Sequence, residues 1–433
     1  MTMAKTEREL VLDILTEVLE NGKFSHKVIG PMLEKQPLSR QEKAFITRLS
    51  QGTMERLITM DYIINLYSKT KVNKMKPVVR NVLRFSVYQM FYMEQISDAT
   101  ACNEAVKIMI KRGMGGLKGF VNGVLRTIAR EKENIAYPDM EKDFVKASSV
   151  IYSVPEWLVK HFNDSYDKEK TIAILRGFSG ERPMTVRVNL QNATLEAVEQ
   201  SLAEEGIVAS RHPHVDNALF LEKVGAIHKT KAFREGWIQV QDASSILAVA
   251  SAGIENGMCV LDVCAAPGGK SMFAADLTGT QGSVIARDLT EKKVDLIRES
   301  KERCKFAHLH PQVFDATQLD ESMVAWADVV LADLPCSGLG ILSKKPDIKY
   351  RVQKEDLNEL VELQKKILDV VWQYVKPGGV LLYSTCTINP QENEGMVQWF
   401  LTQGYPFTLE SMQQLFPGEY ETDGFFMAKL RRK

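Results

Sequence analysis

Four apolar runs, Val260 to Val263, Ser283 to Ala286, Val329 to Leu331 and Val380 to Tyr383, recur through the C-terminal part of the chain with helix-like stretches between them. Strands separated by a helix do not pair as tight hairpins, because the helix carries the chain back across the sheet and the next strand enters parallel to the last. The pattern therefore predicts an α/β domain over residues 239–433, built on a doubly wound parallel sheet. Ligands of such sheets gather beyond the carboxyl ends of the strands, so the residues just after each run are the first candidates for chemistry.

The rest of the chain reads differently. Residues 7–20 place Leu10, Val11, Ile14, Leu15, Val18 and Leu19 at helical spacing, and 40–68, 77–93 and 100–132 repeat the habit. An all-α domain is predicted over 1–145, with its boundary where the helical pattern lapses through Tyr137-Pro138-Asp139 and Ser148-Ser149. A strand at Met184–Val188, a helix from Thr194 and strands near 207–211 and 218–222 predict a small α+β module over 146–238. Residues 1–150 hold 24 Lys/Arg against 17 Asp/Glu, and the remainder 31 against 38. A mildly basic front end suits a polyanion, and it suits a solvated helical surface equally well.

The charged start, Met1 to Leu10, and the lack of any run of about 18 apolar residues predict neither export nor a membrane span, and a cytoplasmic location. The six cysteines form no CxxC pair, so reduced thiols are expected, with no zinc site and no disulfide framework.

The first strand leads into Asp262-Val263-Cys264-Ala265-Ala266-Pro267-Gly268-Gly269-Lys270-Ser271. Small residues there let the backbone approach a ligand closely, as they also would in a plain strand-to-helix turn. A P-loop requires a glycine where Cys264 stands, and a dinucleotide fingerprint requires G-x-G-x-x-G, which is absent. An adenosine-type ligand without a triphosphate survives this test, and S-adenosylmethionine is the cofactor that fits. Asp288, twenty residues after Gly268, suits the ribose hydroxyls. Asp315 suits the adenine amino group, and Asp333 ends the fourth strand.

Two of these strands run into cysteines, Asp333-Leu334-Pro335-Cys336 and Ser384-Thr385-Cys386. Neighbouring strands would open both thiols onto one crevice. A thiolate is suited to add at carbon 6 of a cytosine, which turns carbon 5 into a nucleophile for a methyl sulfonium. Amine-directed methyltransferases carry Asp/Asn-Pro-Pro-aromatic at the fourth strand instead, and Asp333-Leu334-Pro335-Cys336 departs from it. Spacing alone does not rank the two thiols. Asn389-Pro390-Gln391-Glu392 predicts a helix start, with Asn389 as N-cap and Glu392 closing a capping box.

DVCAAPGGK (262–270), DLPCSGLG (333–340), KKPDIKYR (344–351), STCTINPQENE (384–394) and DGFFMAKL (423–430) together resemble the bacterial small-subunit ribosomal RNA cytosine-5 methyltransferases of the RsmB (Sun/Fmu) type. The resemblance implies a Rossmann-like class I methyltransferase domain, preceded by an all-α NusB-like RNA-binding domain and a small RRM-like α+β module. It implies methylation of carbon 5 of a cytosine in 16S ribosomal RNA, cytosine 967 in the family, either in naked RNA or in a small-subunit assembly intermediate. By the same carry-over Cys386 is the nucleophile, Cys336 assists product release and Asp333 contacts the base. Cys264, Ala265, Ala266, Pro267, Gly268, Gly269, Lys270, Asp288, Asp315 and Asp333 line the S-adenosylmethionine site. Arg182, Arg187, Lys344 and Lys345 are the expected RNA contacts, with Lys349 and Arg351 beside the latter pair as further phosphate candidates. The competing readings are an RNA-binding assembly factor with a vestigial methyltransferase fold, opposed by the intact loop and both thiols, and a P-loop ATPase, opposed by Cys264.

Overall fold

The apolar stripes of the N-terminal region fold as helices: α1 (Glu7–Leu15), α2 (Ser25–Glu34), α3 (Arg40–Glu55), α4 (Leu57–Tyr67), α5 (Pro77–Tyr92), α6 (Asp98–Lys111), α7 (Lys118–Glu131), α8 (Phe144–Tyr152), α9 (Glu156–Ser165) and α10 (Lys168–Ser179). The computed structural model describes residues 5–180 and 183–433. Thr6 and Ser39 open α1 and α3 with capping boxes closed by Glu9 and Glu42, which satisfies amides that have no partner within the helix. Ile14, Leu49, Val82, Phe85 and Leu125 are fully buried in the core that α1 to α7 share. Gly52 on α3 lies under the Tyr88 ring of α5, where a Cβ would collide with the phenol.

One compact unit of the chain runs to Ser179 and includes the later segment Leu342–Arg351. Thr59 Oγ1 donates to Val150 O at 2.6 Å and Ser153 Oγ accepts from Ile58 N at 2.9 Å, tying α8 to α4. Within Leu342–Arg351, Asp347 accepts from Ser25 N and Oγ, at 3.2 and 2.6 Å. Lys349 Nζ donates to Glu55 O at 2.8 Å, and burial pushes this ammonium down to about 7. The Arg351 guanidinium donates to Gly22 O at 2.8 Å and lies 4.4 Å from the Phe24 ring centroid. Lys349 and Arg351 are thus occupied inside the helical unit, and the expectation that they meet phosphates is corrected. Lys344 and Lys345 are exposed.

The second unit spans Gly180–Ile341 and Val352–Lys433. It opens with β1 (Met184–Val188), α11 (Leu195–Glu204), β2 (Val208–Arg211), β3 (Ala218–Glu222), α12 (Lys231–Arg234) and β4 (Ile238–Val240), whose strands make an antiparallel sheet of order β2-β3-β1-β4. Arg187 of β1 is fully buried. Its guanidinium pairs with Asp276 at 3.1 Å, donates to Gln241 Oε1 at 3.1 Å and sits 4.6 Å from the Phe273 ring centroid. An RNA contact by Arg187 is corrected accordingly: the side chain is a buried brace. Arg182 lies outside the described residues.

There follow α13 (Ala243–Ser251), β5 (Cys259–Asp262), α14 (Gly269–Thr278), β6 (Ser283–Asp288), α15 (Glu291–Cys304), β7 (Leu309–Val313), β8 (Ala327–Asp333), α16 (Lys354–Val371), β9 (Val375–Thr385), α17 (Glu394–Thr402), β10 (Phe407–Leu415) and β11 (Phe425–Arg432). The sheet order is β10-β11-β9-β8-β5-β6-β7. Strands β5 to β9 are parallel, while β11 pairs antiparallel with β9 and with β10, so the expected all-parallel sheet is a mixed one with a hairpin at its edge. Strand order reverses between β5 and β8, and the loops that follow these two strands diverge around a crevice. No helix among the described residues is long and apolar enough to cross a membrane.

Candidate active site

At the end of β5 the chain turns sharply into α14. Gly268 holds φ +106°, a backbone angle that an L side chain rarely adopts, so the turn itself favours glycine, while the space beside it would admit a Cβ in ordinary contact with Ile297 at 3.5 Å. Gly268 N donates to Ala265 O at 2.7 Å and Ala265 N to Arg287 O at 2.8 Å, which pins the loop to β6. Asp288, the last residue of β6, accepts from Ala266 N at 3.0 Å and Leu289 N at 2.8 Å, and Lys293 lies 2.9 Å away. The loop and the end of β6 are therefore latched through one carboxylate. Asp262, buried under the loop, takes Ser271 Oγ at 2.6 Å; burial pushes its carboxyl up to about 7.

A cleft of about 290 Å³ opens beyond these strand ends. Cys264, Ala266, Asp288, Phe314, Asp315 and Asp333 line it, and so do Cys336 and Cys386. Apolar Leu289, Phe314 and Ile367 on its wall, beside the Asp288 and Asp315 carboxylates as hydrogen-bond acceptors, make a lining suited to an adenosine. Asp315 also closes its own turn, accepting from Thr317 N at 2.9 Å and Oγ1 at 2.7 Å. Ala265, Pro267, Gly269 and Lys270 instead line a second cleft of about 190 Å³, shared with Gln241, Asp242 and Asp262. Cys264, Ala266 and Asp333 border both clefts, and Gly268 lines neither, acting through its backbone alone.

Asp333 is held from two sides: Lys270 Nζ lies 2.6 Å from Oδ2, and Ser384 Oγ donates to Oδ1 at 3.0 Å. Burial works to lower the Lys270 pKa, but the Asp333 and Asp262 carboxylates outweigh it and hold the ammonium above its ordinary value. Beyond Asp333, β8 and β9 run side by side in register, Asp333 opposite Ser384, and each continues into a cysteine. The Cys336 and Cys386 sulfurs are 3.3 Å apart. Contact with Cys386, followed by burial, raises the Cys336 thiol well above its ordinary value, so it stays protonated at neutral pH. Burial likewise pushes the Cys264 thiol up.

The predicted capping box at Asn389 does not form. Pro390–Glu392 is a single 3₁₀ turn, α17 begins at Glu394, and the fully buried Glu392 carboxylate accepts from Ser337 N at 2.9 Å and from the Asn389 side-chain amide, while the Asn389 backbone N–H donates to Thr387 Oγ1 at 3.2 Å. Local pattern missed this because the partner lies 55 residues away in sequence. Asp242, on the second cleft, also escaped the motif reading; it caps α13 and accepts from Ser244 N at 3.0 Å. Among the described residues no group of three or more His, Cys, Asp or Glu side chains is placed to hold a metal.

Comparison with known proteins finds relatives along the whole chain. The family model for 16S rRNA methyltransferase RsmB/F covers residues 252–431, the NusB family model residues 5–130, and the ferredoxin-like domain of RsmF/B-like methyltransferases residues 154–228. The chain is 35% identical to the Bacillus subtilis protein named "Probable ribosomal RNA small subunit methyltransferase B", over 100% of both chains. It is 31% identical to ribosomal RNA small subunit methyltransferase B of Cronobacter sakazakii, over 98% of each. Among solved structures, a methyltransferase homolog protein from Pyrococcus horikoshii aligns with TM-score 0.59 at 25% identity, over 67% of this chain and 99% of that one. With such identity running from end to end, and with every domain matched in order, the chain belongs to the ribosomal RNA small subunit methyltransferase B family.

Proposed function

We propose that this chain uses S-adenosylmethionine to methylate carbon 5 of a cytosine in 16S ribosomal RNA, cytosine 967 by family expectation, through a covalent adduct to Cys386. The observation that carries the reading is the pair of sulfurs 3.3 Å apart on the same cleft as Asp288 and Asp315. A ring-carbon methyltransferase needs a nucleophile to enter carbon 6 and a group beside it to help that nucleophile leave, and two adjacent thiols supply both. S-adenosylmethionine, when bound, supplies the electrophilic methyl group.

In this mechanism the Cys386 thiolate adds to carbon 6 of the cytosine, and the electron pair passes to carbon 5, which takes the methyl group. A base then removes the proton from carbon 5, the carbon 5–carbon 6 double bond re-forms, and Cys386 departs with the sulfur–carbon electron pair. Cys336, kept as a thiol, offers its S–H to the departing sulfur. Asp333 faces the ring nitrogen and exocyclic amine of the base, accepting from the amine as a carboxylate and meeting the ring nitrogen in its protonated form, while Lys270, 2.6 Å away, keeps its own proton and holds the carboxyl group in place. Asp288 and Asp315 orient the nucleoside part of the cofactor. Lys344 and Lys345, exposed, are suited to phosphate contacts around an unpaired target.

Mapping 5-methylcytosine across 16S ribosomal RNA from a strain lacking the gene tests the reading. One site is expected to lose its methyl group, to regain it with the wild-type gene and not with Cys386→Ala. Full methylation at every site in the deletion strain would refute it.

A further inference from the structure

The two cysteine segments are held against each other by a pair of consecutive residues that no step above uses. Glu392 is fully buried, and its carboxylate accepts four hydrogen bonds: from Ser337 N at 2.9 Å, from Ser337 Oγ, from Asn389 Nδ2 at 3.0 Å and from Gln364 Nε2 at 3.1 Å. Gln364 Nε2 also donates to Pro335 O at 2.9 Å. Pro335 and Ser337 flank Cys336, so both neighbours of that thiol are fixed through one carboxylate and one amide. On the other strand, Asn393 accepts from Thr385 Oγ1 at 2.6 Å and donates to Thr387 O at 3.0 Å. Those are the two neighbours of Cys386. Ser337 Oγ and Thr387 Oγ1, 2.7 Å apart, join the two sides directly.

A buried carboxylate among neutral donors is a costly way to hold two loops together, because an ionised group loses its hydration on burial and an apolar residue of the same volume would avoid that loss. What apolar packing cannot do is fix direction. The Ser337 amide is the first backbone group after Cys336, and anchoring it sets where the Cys336 sulfur points. From this we infer that Glu392 is a positioning residue for product release: it holds the Cys336 S–H on the Cys386 sulfur, so that the covalent adduct breaks down after methyl transfer. The inference rests on the proposed cytosine-5 chemistry for its functional half, while its geometric half, the approach of the two sulfurs, stands apart from any substrate.

Two measurements on the purified full-length protein separate those halves. Diamide, which adds to one thiol and is displaced by a second so that neighbouring thiols close fastest, is expected to join Cys336 to Cys386 in the wild type, read as the linked peptide by mass spectrometry. In Glu392→Leu this closure slows about tenfold or more, while Glu392→Gln, which keeps one acceptor for the Ser337 amide, recovers most of the rate. In single-turnover reactions with a 16S ribosomal RNA transcript and methyl-labelled S-adenosylmethionine, Glu392→Leu forms the denaturant-stable RNA–protein adduct at close to the wild-type rate. It releases product about tenfold or more slowly, following Cys336→Ala. Ser337→Ala, which removes one of the four bonds without emptying the site, shifts both readouts in the same direction by less, and serves where Glu392→Leu does not fold.

Equal diamide closure in wild type and variants overturns the inference. So does a parallel loss of adduct formation and release, which is what a merely structural role produces. A wild-type enzyme that yields neither 5-methylcytosine nor adduct refutes the proposed reaction instead, and the diamide rates still decide whether Glu392 sets the sulfur contact.

Discussion

Replacing Asp276 by alanine leaves the Arg187 guanidinium charged and enclosed. Arg187 is fully buried, the Asp276 side chain is 3% exposed, and the carboxylate also accepts from Leu190 N at 3.0 Å and Gln191 N at 2.9 Å. Removing one partner of a buried ion pair costs about 3 to 5 kcal/mol, because the charge left behind regains neither water nor an equivalent partner. The guanidinium cannot escape by losing its proton at neutral pH, since burial brings it down only to about 10. For a domain of this size each kcal/mol lowers the melting temperature by about 2 to 4 °C, so Asp276→Ala should melt roughly 6 to 20 °C below wild type, followed by circular dichroism. The double variant Arg187→Met/Asp276→Leu, which replaces the pair by apolar volume, should return most of that loss, because buried pairs and well-packed apolar residues are often near equal in stability. A phosphate-binding arginine behaves differently: its removal leaves stability unchanged and reduces the slope of log affinity against log salt by about one. A fall of under about 1 kcal/mol in Asp276→Ala, or a lowered salt slope for RNA binding in Arg187→Met, would refute the assignment of this pair as an internal brace.

Four further outcomes are expected. Cys386→Ala abolishes methylation, while Cys336→Ala still attacks and accumulates a covalent RNA adduct visible on a denaturing gel; the reverse pattern would exchange the two roles. Asp288→Ala weakens S-adenosylmethionine binding about tenfold or more by calorimetry, since a charged hydrogen bond is lost and the Ala266 and Leu289 amides it latches are freed. The Asp262 carboxyl, raised to about 7 by burial, holds its proton in the folded chain over a range where the unfolded chain has released it. Its ionisation therefore costs stability as pH rises from about 4 to 7, so Asp262→Asn should gain in melting temperature relative to wild type at pH 8 and lose that advantage near pH 4. Gly268→Ala forces an L side chain into φ +106° and should lower stability by about 1 to 3 kcal/mol in urea unfolding, with cofactor affinity falling alongside.

How much of this was legible in the sequence follows from the range of each interaction. The parallel strands were readable because β5, β6, β8 and β9 are buried on both faces and show as continuous apolar runs. The edge strand β10 was not: Phe407 and Leu409 alternate with polar residues only once before the pattern breaks at Ser411 and Met412, Thr408 to Gln413 are exposed, and the strand pairs along its length with β11. The same limit explains Arg187. In β1 the alternation Val186, Arg187, Val188 reads as a strand with one wet face, whereas both faces are covered and Arg187 meets Asp276 some ninety residues on. Cys386 and Cys336 could be placed in one crevice from strand order, but their 3.3 Å contact depends on the register of β8 against β9 and on loops beyond both strands.

Glu392 marks the point where a local signature and its structural use part company. Asn-Pro-x-Glu satisfies every local requirement for a helix start, and a capping glutamate would be half-exposed and replaceable. The chain instead spends one 3₁₀ turn before α17, which carries the carboxylate inward to donors supplied by α16 and by the Cys336 loop. A cap needs partners three residues away and is therefore visible in any window of sequence; a clamp between two strand-end loops needs partners that only the completed β8–β9 pairing brings near. The residues that carry the bond-making chemistry sit in recognisable motifs because chemistry constrains residue type. The residues that aim them are bound only by geometry, and in this enzyme family member the aim of Cys336 is set by Glu392, the one residue of its motif whose local reading pointed elsewhere.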